Sequence, residues 1–244
     1  MVARIFAILA IAGFAVIAVP LVTELPPLEE LTTLAQAYVE RTPEELGAQN
    51  VVTAVIVTYR GLDTLGEVSV LFIATAGVGF LLRRQGPGVR SGADGVPADA
   101  EGGPGQGPSE ILTTGAQILV PVVALFGVYI FTHGHLTPGG GFQGGVIVAS
   151  ALLLCFLATP GGRIGHTLLT AVESLSGATY VVLGALGLVL AAGFLDNRIM
   201  PLGEFGTLFS AGAIPIIYSL VGIKVGAELS GILDRLRSRE GGHA

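Results

Sequence analysis

Six apolar runs are spaced along the chain, Ile5–Val22, Leu65–Leu82, Ile111–Phe131, Phe142–Ala158, Leu168–Leu195 and Phe205–Leu229, and polar or glycine-rich stretches separate them. A helix needs roughly 20 mostly apolar residues to cross a bilayer. Backbone groups inside the bilayer must be satisfied within the segment, which a helix does by itself. The pattern therefore predicts an all-α integral membrane protein with about six transmembrane helices. The first run follows Arg4, as the apolar part of a secretory signal would. It is long for that purpose, and no clear A-x-A site follows before Glu24, so the reading here is a retained helix.

The basic residues orient the bundle. Arg4 precedes the first run, Arg83, Arg84 and Arg90 follow the second, Arg163 lies between the fourth and fifth, and Arg235, Arg237 and Arg239 follow the sixth. The opposite side holds Arg41 and Arg198, with Arg60 counted inside the membrane. This asymmetry predicts both termini in the cytoplasm, and a multi-pass protein of the cell (plasma) membrane. Residues 85–109 hold eight Gly and four Pro with no apolar periodicity, which reads as a flexible cytoplasmic linker. Three parts follow: a two-helix segment, 1–84; the linker, 85–109; and a four-helix domain, 110–244. The acidic segment 23–50 contains EELTTLAQAYVE, which could form a short surface helix.

Only 12% of the residues are charged, about half the fraction of a soluble domain. The net charge is −6, and the few basic residues form no stripe, so a nucleic-acid partner is not supported. Cys155, the one cysteine, leaves no internal disulfide to form.

Two stretches invite chemical readings. The first is THGHLTPGGGFQGG, between the third and fourth runs. A phosphate-binding loop would need lysine after G-x-x-x-x-G and a preceding strand; neither is present. His133 and His135 could ligate a metal, but further ligands are absent nearby. The plainer expectation is a tight turn made by Pro138, Gly139, Gly140, Gly141 and Phe142, with Gly144 and Gly145 allowing a neighbouring helix to approach. No metal is expected.

The second is residues 50–72, NVVTAVIVTYRGLDTLGEVSVLF. Val51–Tyr59 is too short to span, and it could be re-entrant, in-plane, or the start of a broken helix. If helical, Arg60, Asp63 and Glu67 share one stripe. Such a stripe can relay protons or hold a partly hydrated cation; it can equally be an interfacial cap on the second helix. Elsewhere, Glu173 lies a turn and a half into the fifth run, either buried or at the inner interface. Lys224 and Glu228 form an i, i+4 pair that snorkels or pairs ionically. Asp196 and Glu204 fall in an outer loop and are expected to be solvated.

Together these stretches resemble a known family. Residues 111–231, with ILTTGAQILVPVVALFGVYIFTHGHLTPGGGFQGGVIVAS, Glu173 and GTLFSAGAIPIIYSLVGIKVGAELSG, resemble the B-type subunit of Mrp multisubunit cation/proton antiporters. Residues 50–78 are similar to the C-terminal tail of the A-type subunit, which is a separate small subunit in Mbh- and Mbs-type hydrogenase and sulfane reductase complexes. The tail here precedes the B-type domain, and the large A-type body is missing.

The resemblance implies that Asp63 and Glu67 belong to a sodium or proton route, with Arg60 in the same motif. It implies other antiporter-module membrane subunits and a hydrogenase-like peripheral arm as partners, within the lipid bilayer. No haem motif, cysteine cluster or nucleophile–base pair is present, so no redox chemistry and no cofactor is expected beyond transported Na+ or H+. An ion-path subunit, a structural scaffold and a stand-alone transporter are the three readings carried forward.

Overall fold

A computed structural model describes residues 2–23, 31–84, 109–159 and 165–240. The Gly/Pro-rich linker and Arg163 lie outside the described residues. The helices are α1 (Val2–Thr23), α2 (Thr33–Leu46), α3 (Val51–Ala54), α4 (Gly61–Arg84), α5 (Glu110–Thr132), α6 (Gly141–Ala158), α7 (His166–Leu190) and α8 (Ile214–Glu240). A π-turn, Val55–Tyr59, joins α3 to α4, and a single 3₁₀ turn, Asn197–Ile199, precedes α8. No strand occurs among the described residues. Residues up to Ala37 form one compact unit and those from Tyr38 onward a second.

Among the described residues, five helices are long and apolar enough to cross a membrane: Gly61–Leu82, Glu110–Thr132, Gly141–Ala158, Thr167–Leu190 and Ile214–Arg237. The apolar stretch of α1, Ile5–Pro20, is shorter. The protein is thus an all-α, multi-pass membrane protein.

In the second unit α8 is the axis, and α4, α5, α6 and α7 all pack on it. Small residues set the closest approaches. A Cβ on Gly144 would stand 2.6 Å from the Gly127 carbonyl of α5, and one on Gly145 would stand 2.7 Å from the Gly222 carbonyl of α8. Backbones this close allow tight van der Waals packing where lipid supplies no hydrophobic drive. By contrast, Ile118, Val122 and Leu125 of α5 and Leu175, Val182 and Val189 of α7 are exposed on this chain.

Two expected spans end differently. The fifth helix stops at Leu190, not Leu195: Ala191 is already extended, at φ −135° and ψ −156°, and Leu195, at φ +61°, lies in the turn that follows. The run from Phe205 becomes helical only at Ile214. Gly203, Gly206, Ala211 and Gly212 all have positive φ, which no α-helix admits. Ser210, Ala211 and Ala213 are fully buried, so this loop has the composition of core without being a span. Asn197 holds it: its side-chain amide donates to the carbonyls of Leu46 and Ala211, both at 2.9 Å, and its own carbonyl accepts from Ala213 N–H at 3.0 Å.

Candidate ion-path residues

Residues 50–60 form the first part of a broken helix. Asn50 caps α3 by accepting from Thr53 N–H. The helix then widens, so that Arg60 N–H donates to Val55 C=O at 2.7 Å, and Arg60 itself leaves helical geometry at φ −125°, ψ 34°. Thr64 Oγ1 donates to Ile56 C=O at 2.8 Å, supplying a partner near the break. Such a break can exist at membrane depth where protein covers it.

Beyond the break, Arg60 and Asp63 pair at 2.7 Å, with side chains 65% and 56% exposed. Glu67, one turn further along α4, is also exposed. These three residues occupy the flank of the chain, and the structure does not gather them with the other predicted charges.

Those other charges meet in the interior. Lys224 donates to Glu228 Oε1, and the two side chains are only 8% and 0% exposed. The pair is buried, so the snorkelling alternative does not apply. Three helices enclose it. The Lys224 ammonium stands 5.3 Å from the Phe72 ring centroid of α4, within cation–π range. Its stem lies against Gly177 of α7, where a Cβ would approach Cε to 3.3 Å. Glu173 of α7, half-buried, is within electrostatic reach of Glu228. The second Glu228 oxygen, Oε2, is buried without a hydrogen-bond partner.

The glycine-rich turn lies between α5 and α6. His133 stacks on Tyr129 with ring centroids 4.2 Å apart, and its Nδ1 lies 3.1 Å from the Tyr129 carbonyl and 3.0 Å from Thr132 Oγ1. His135 is fully buried, with Nε2 3.4 Å from the Thr207 carbonyl, and burial pushes its pKa below the ordinary value. The two imidazoles have separate surroundings, and among the described residues no three His, Cys, Asp or Glu converge as a metal site.

Pro138 is exposed, Gly139 partly buried, and Gly140, Gly141, Gly144 and Gly145 are buried, with Phe142 half-buried against the core. A Cβ on Gly139 would meet the Ile130 carbonyl at 2.9 Å, and one on Gly141 the Tyr218 carbonyl at 2.8 Å. The turn is strapped to the broken helix: Asn50 Nδ2 donates to the carbonyls of Gly134 and Thr137 at 2.9 and 3.0 Å, and Thr53 Oγ1 to Gly134 at 2.6 Å.

Asp196 corrects the expectation of a solvated loop acid. It is buried, accepts from Arg198 Nε and Nη2 at 2.9 and 2.6 Å, and accepts from the amides of Ala192 and Arg198. The Arg198 guanidinium holds its carboxyl well down, at about 2. Glu204 is exposed. Sequence reasoning also passed over Asn50, Thr53, Ser176, Tyr180 and Asn197. The Asp-Asn-Arg run at 196–198 was the one local signal, since a two-residue spacing lets a turn pair its ends.

The fold and these charges define a multi-pass membrane protein that carries ionisable residues both within its helical core and on one flank. Residues 111–231 match the family model described as a domain related to the MnhB subunit of Na+/H+ antiporter, and residues 2–96 match the model for the E subunit of MBH. A putative antiporter subunit mnhB2 of Staphylococcus aureus (strain Newman) is 33% identical over 132 residues, covering 49% of this chain and 92% of the relative. The A/B subunit of a probable K(+)/H(+) antiporter of Rhizobium meliloti (strain 1021) is 33% identical over 146 residues, covering 54% of this chain. This chain spans 14% of that relative's length, and 45% and 34% of two further relatives. In a solved structure of the membrane-bound sulfane sulfur reductase (MBS), an archaeal respiratory membrane complex, one chain is 44% identical. The match has a TM-score of 0.74 and covers 97% of this chain and 98% of that one. The chain belongs to the MnhB-related family of antiporter-type membrane subunits.

Proposed function

We propose that this chain is a membrane subunit of an Mrp-type sodium/proton antiporter module and helps to form its cation or proton path. The observation that carries the reading is the Lys224–Glu228 pair, buried between α4, α7 and α8 with Glu173 beside it. Burying a charge pair costs more than packing apolar side chains of the same volume. Ionisable groups inside a span point to ion or proton routes. Glu228 Oε2 has no partner, so the Glu173–Glu228 site can take up a proton while Lys224 offsets the remaining charge. Asp63 and Glu67 on the flank offer oxygen ligands suited to a hard cation, and they face out of this chain towards a neighbouring subunit.

In this reading the exposed apolar faces of α5 and α7 pack on other antiporter-module subunits and on lipid. The chain holds no cofactor of its own, performs no redox step, and carries only Na+ or H+ as cargo, with both termini in the cytoplasm. The end-to-end correspondence with a chain of a respiratory complex favours a parent assembly with a hydrogenase-like peripheral arm.

The test is sodium-driven proton movement in inverted membrane vesicles holding the assembled complex. A paired replacement, Lys224→Met with Glu228→Gln, removes both charges and leaves no lone buried ion. Exchange should fall by roughly tenfold or more with the complex intact. Wild-type exchange in the assembled double variant would take the interior pair out of the path and overturn the observation that carries this reading.

A further inference from the structure

α7 carries a polar stripe that neither the interior pair nor the flank charges explain. Glu173, Ser176 and Tyr180 lie at i, i+3 and i+7, one face of a helix. Ser176 is 5% exposed and Tyr180 is 1% exposed. An apolar side chain is the cheap choice at such positions, because a buried hydroxyl costs free energy unless it is bonded. Ser176 meets that cost on its own helix, donating to the Glu173 carbonyl at 3.0 Å. Tyr180 does not: its hydroxyl reaches the Gly61 carbonyl at 3.5 Å, beyond the usual range for an O–H donor. A deeply buried phenol held this loosely can change partners.

Both ends of the stripe are chemically occupied. At one end Glu173 faces Glu228, and Gly177 in the same turn makes room for the Lys224 stem. At the other end Tyr180 touches Gly61, the first residue of α4 after the break. Glu67 is within electrostatic reach of the Tyr180 hydroxyl. Seven residues of helix rise by about 10 Å, so the stripe extends from the interior site towards the flank carboxylates.

We infer that Tyr180, with Ser176, passes protons between the flank carboxylates of α4 and the Glu173–Glu228 site. This rests on the reading of that site as part of the ion path. In one transfer the phenol oxygen accepts a proton delivered from Glu67 through water, as its own O–H proton leaves through a second water towards Ser176. The serine hydroxyl, once it turns from the Glu173 carbonyl, repeats the exchange towards the Glu173 carboxylate. Both hydroxyls end as they began, one proton has moved, and water is the only co-reactant. The assignment makes Tyr180 a positioning and proton-passing residue with no role in holding the cation.

The experiment compares Tyr180→Phe and Ser176→Ala with wild type in the assembled complex, in inverted vesicles, by proton flux on sodium addition in H2O and D2O across pH. Phe keeps the ring that fills the core, and the serine hydroxyl bonds only its own helix, so assembly should persist. Proton flux should fall by roughly tenfold or more in Tyr180→Phe, with an altered solvent isotope effect and pH profile and an unchanged sodium concentration for half-maximal rate. Ser176→Ala carries the same expectation and decides the matter if the Phe variant does not assemble. Wild-type flux and isotope effect in either assembled variant overturn the route. The paired Lys224→Met and Glu228→Gln variant, which leaves no lone buried ion, is measured in parallel and separates the two levels. If it abolishes exchange while Tyr180→Phe is silent, only this route fails; if it too is silent, the underlying ion-path reading fails.

Discussion

The closest backbone contact between α5 and α6 gives a prediction whose sign is fixed by geometry. A Cβ added at Gly144 would lie 2.6 Å from the Gly127 carbonyl oxygen and 2.9 Å from both Cβ and Cδ1 of Phe131. The first distance is 0.8 Å short of the 3.4 Å at which ordinary contact begins, and the obstacle is backbone, which cannot rotate away. The reverse contact is equally tight, with a Cβ on Gly127 falling 2.8 Å from the Gly144 carbonyl and from Val148 Cγ2. Overpacking of a filled interior costs about 1–3 kcal/mol, and the gain in helix propensity from Gly to Ala returns at most about 1 kcal/mol. Gly144→Ala should therefore destabilise the protein by up to about 2–3 kcal/mol, and Gly144→Leu by more. Gly115→Ala on α5 is the matched control. Nothing lies within 4 Å of its Cβ, so that substitution should be neutral or slightly stabilising. Thermal melting of the purified membrane protein, with complex assembly scored on native gels, reads both. A Gly144→Ala protein that melts with or above Gly115→Ala would refute the claim that the α5–α6 spacing is set by contact between backbones.

Two further outcomes are expected. Cutting the chain within residues 85–108 should occur when protease is added to inverted vesicles and not to right-side-out ones. The two fragments should still co-purify, because Asn50 and Thr53 bond directly to Gly134 and Thr137 across the cut; separation of the fragments would sink that expectation. Burial lowers the pKa of His135, so the folded state holds it neutral. The stability this confers is fully present above the ordinary value of 6.5 and is lost as pH falls through the lowered one. Hydrogen exchange of the 134–137 amides, corrected for intrinsic rate, should loosen in acid, and His135→Gln should flatten that limb.

The helical plan was legible because a span must be a continuous apolar run, and α4 to α7 begin or end close to where those runs do. The loop 205–213 was not, since Ala211, Ala213 and Ser210 are apolar or small for burial against Asn197 rather than for contact with lipid. Hydropathy registers both environments alike. Lys224, Glu228 and Glu173 stand out in a sequence because charge is rare in apolar runs. Their enclosure depends on Phe72 and Gly177, which come from other helices and carry no local mark. Asp196 looks like an ordinary loop acid until the fold-back after α7 brings Arg198 and the Ala192 amide to it. Tyr180 and Asn50 escape for a related reason: a tyrosine in a span is unremarkable, and the Asn50 bonds bridge 84 and 87 residues of sequence.

The position of α8 bears on how the protein is made. The helix on which α4, α5, α6 and α7 all pack follows every one of them in the chain. A ribosome delivering this sequence therefore releases four helices into the bilayer before the element that organises them exists. Until Ile214–Glu240 emerges, Gly145 and Gly177 face no helix that fits them, and Phe72 has no ammonium to cover. Biogenesis must keep these helices apart from unrelated neighbours during translation, a task suited to a membrane insertase or to partner subunits already in place. The α5–α6 pair, held by Gly127 and Gly144, needs no α8, but the core around Lys224 closes only when α8 arrives.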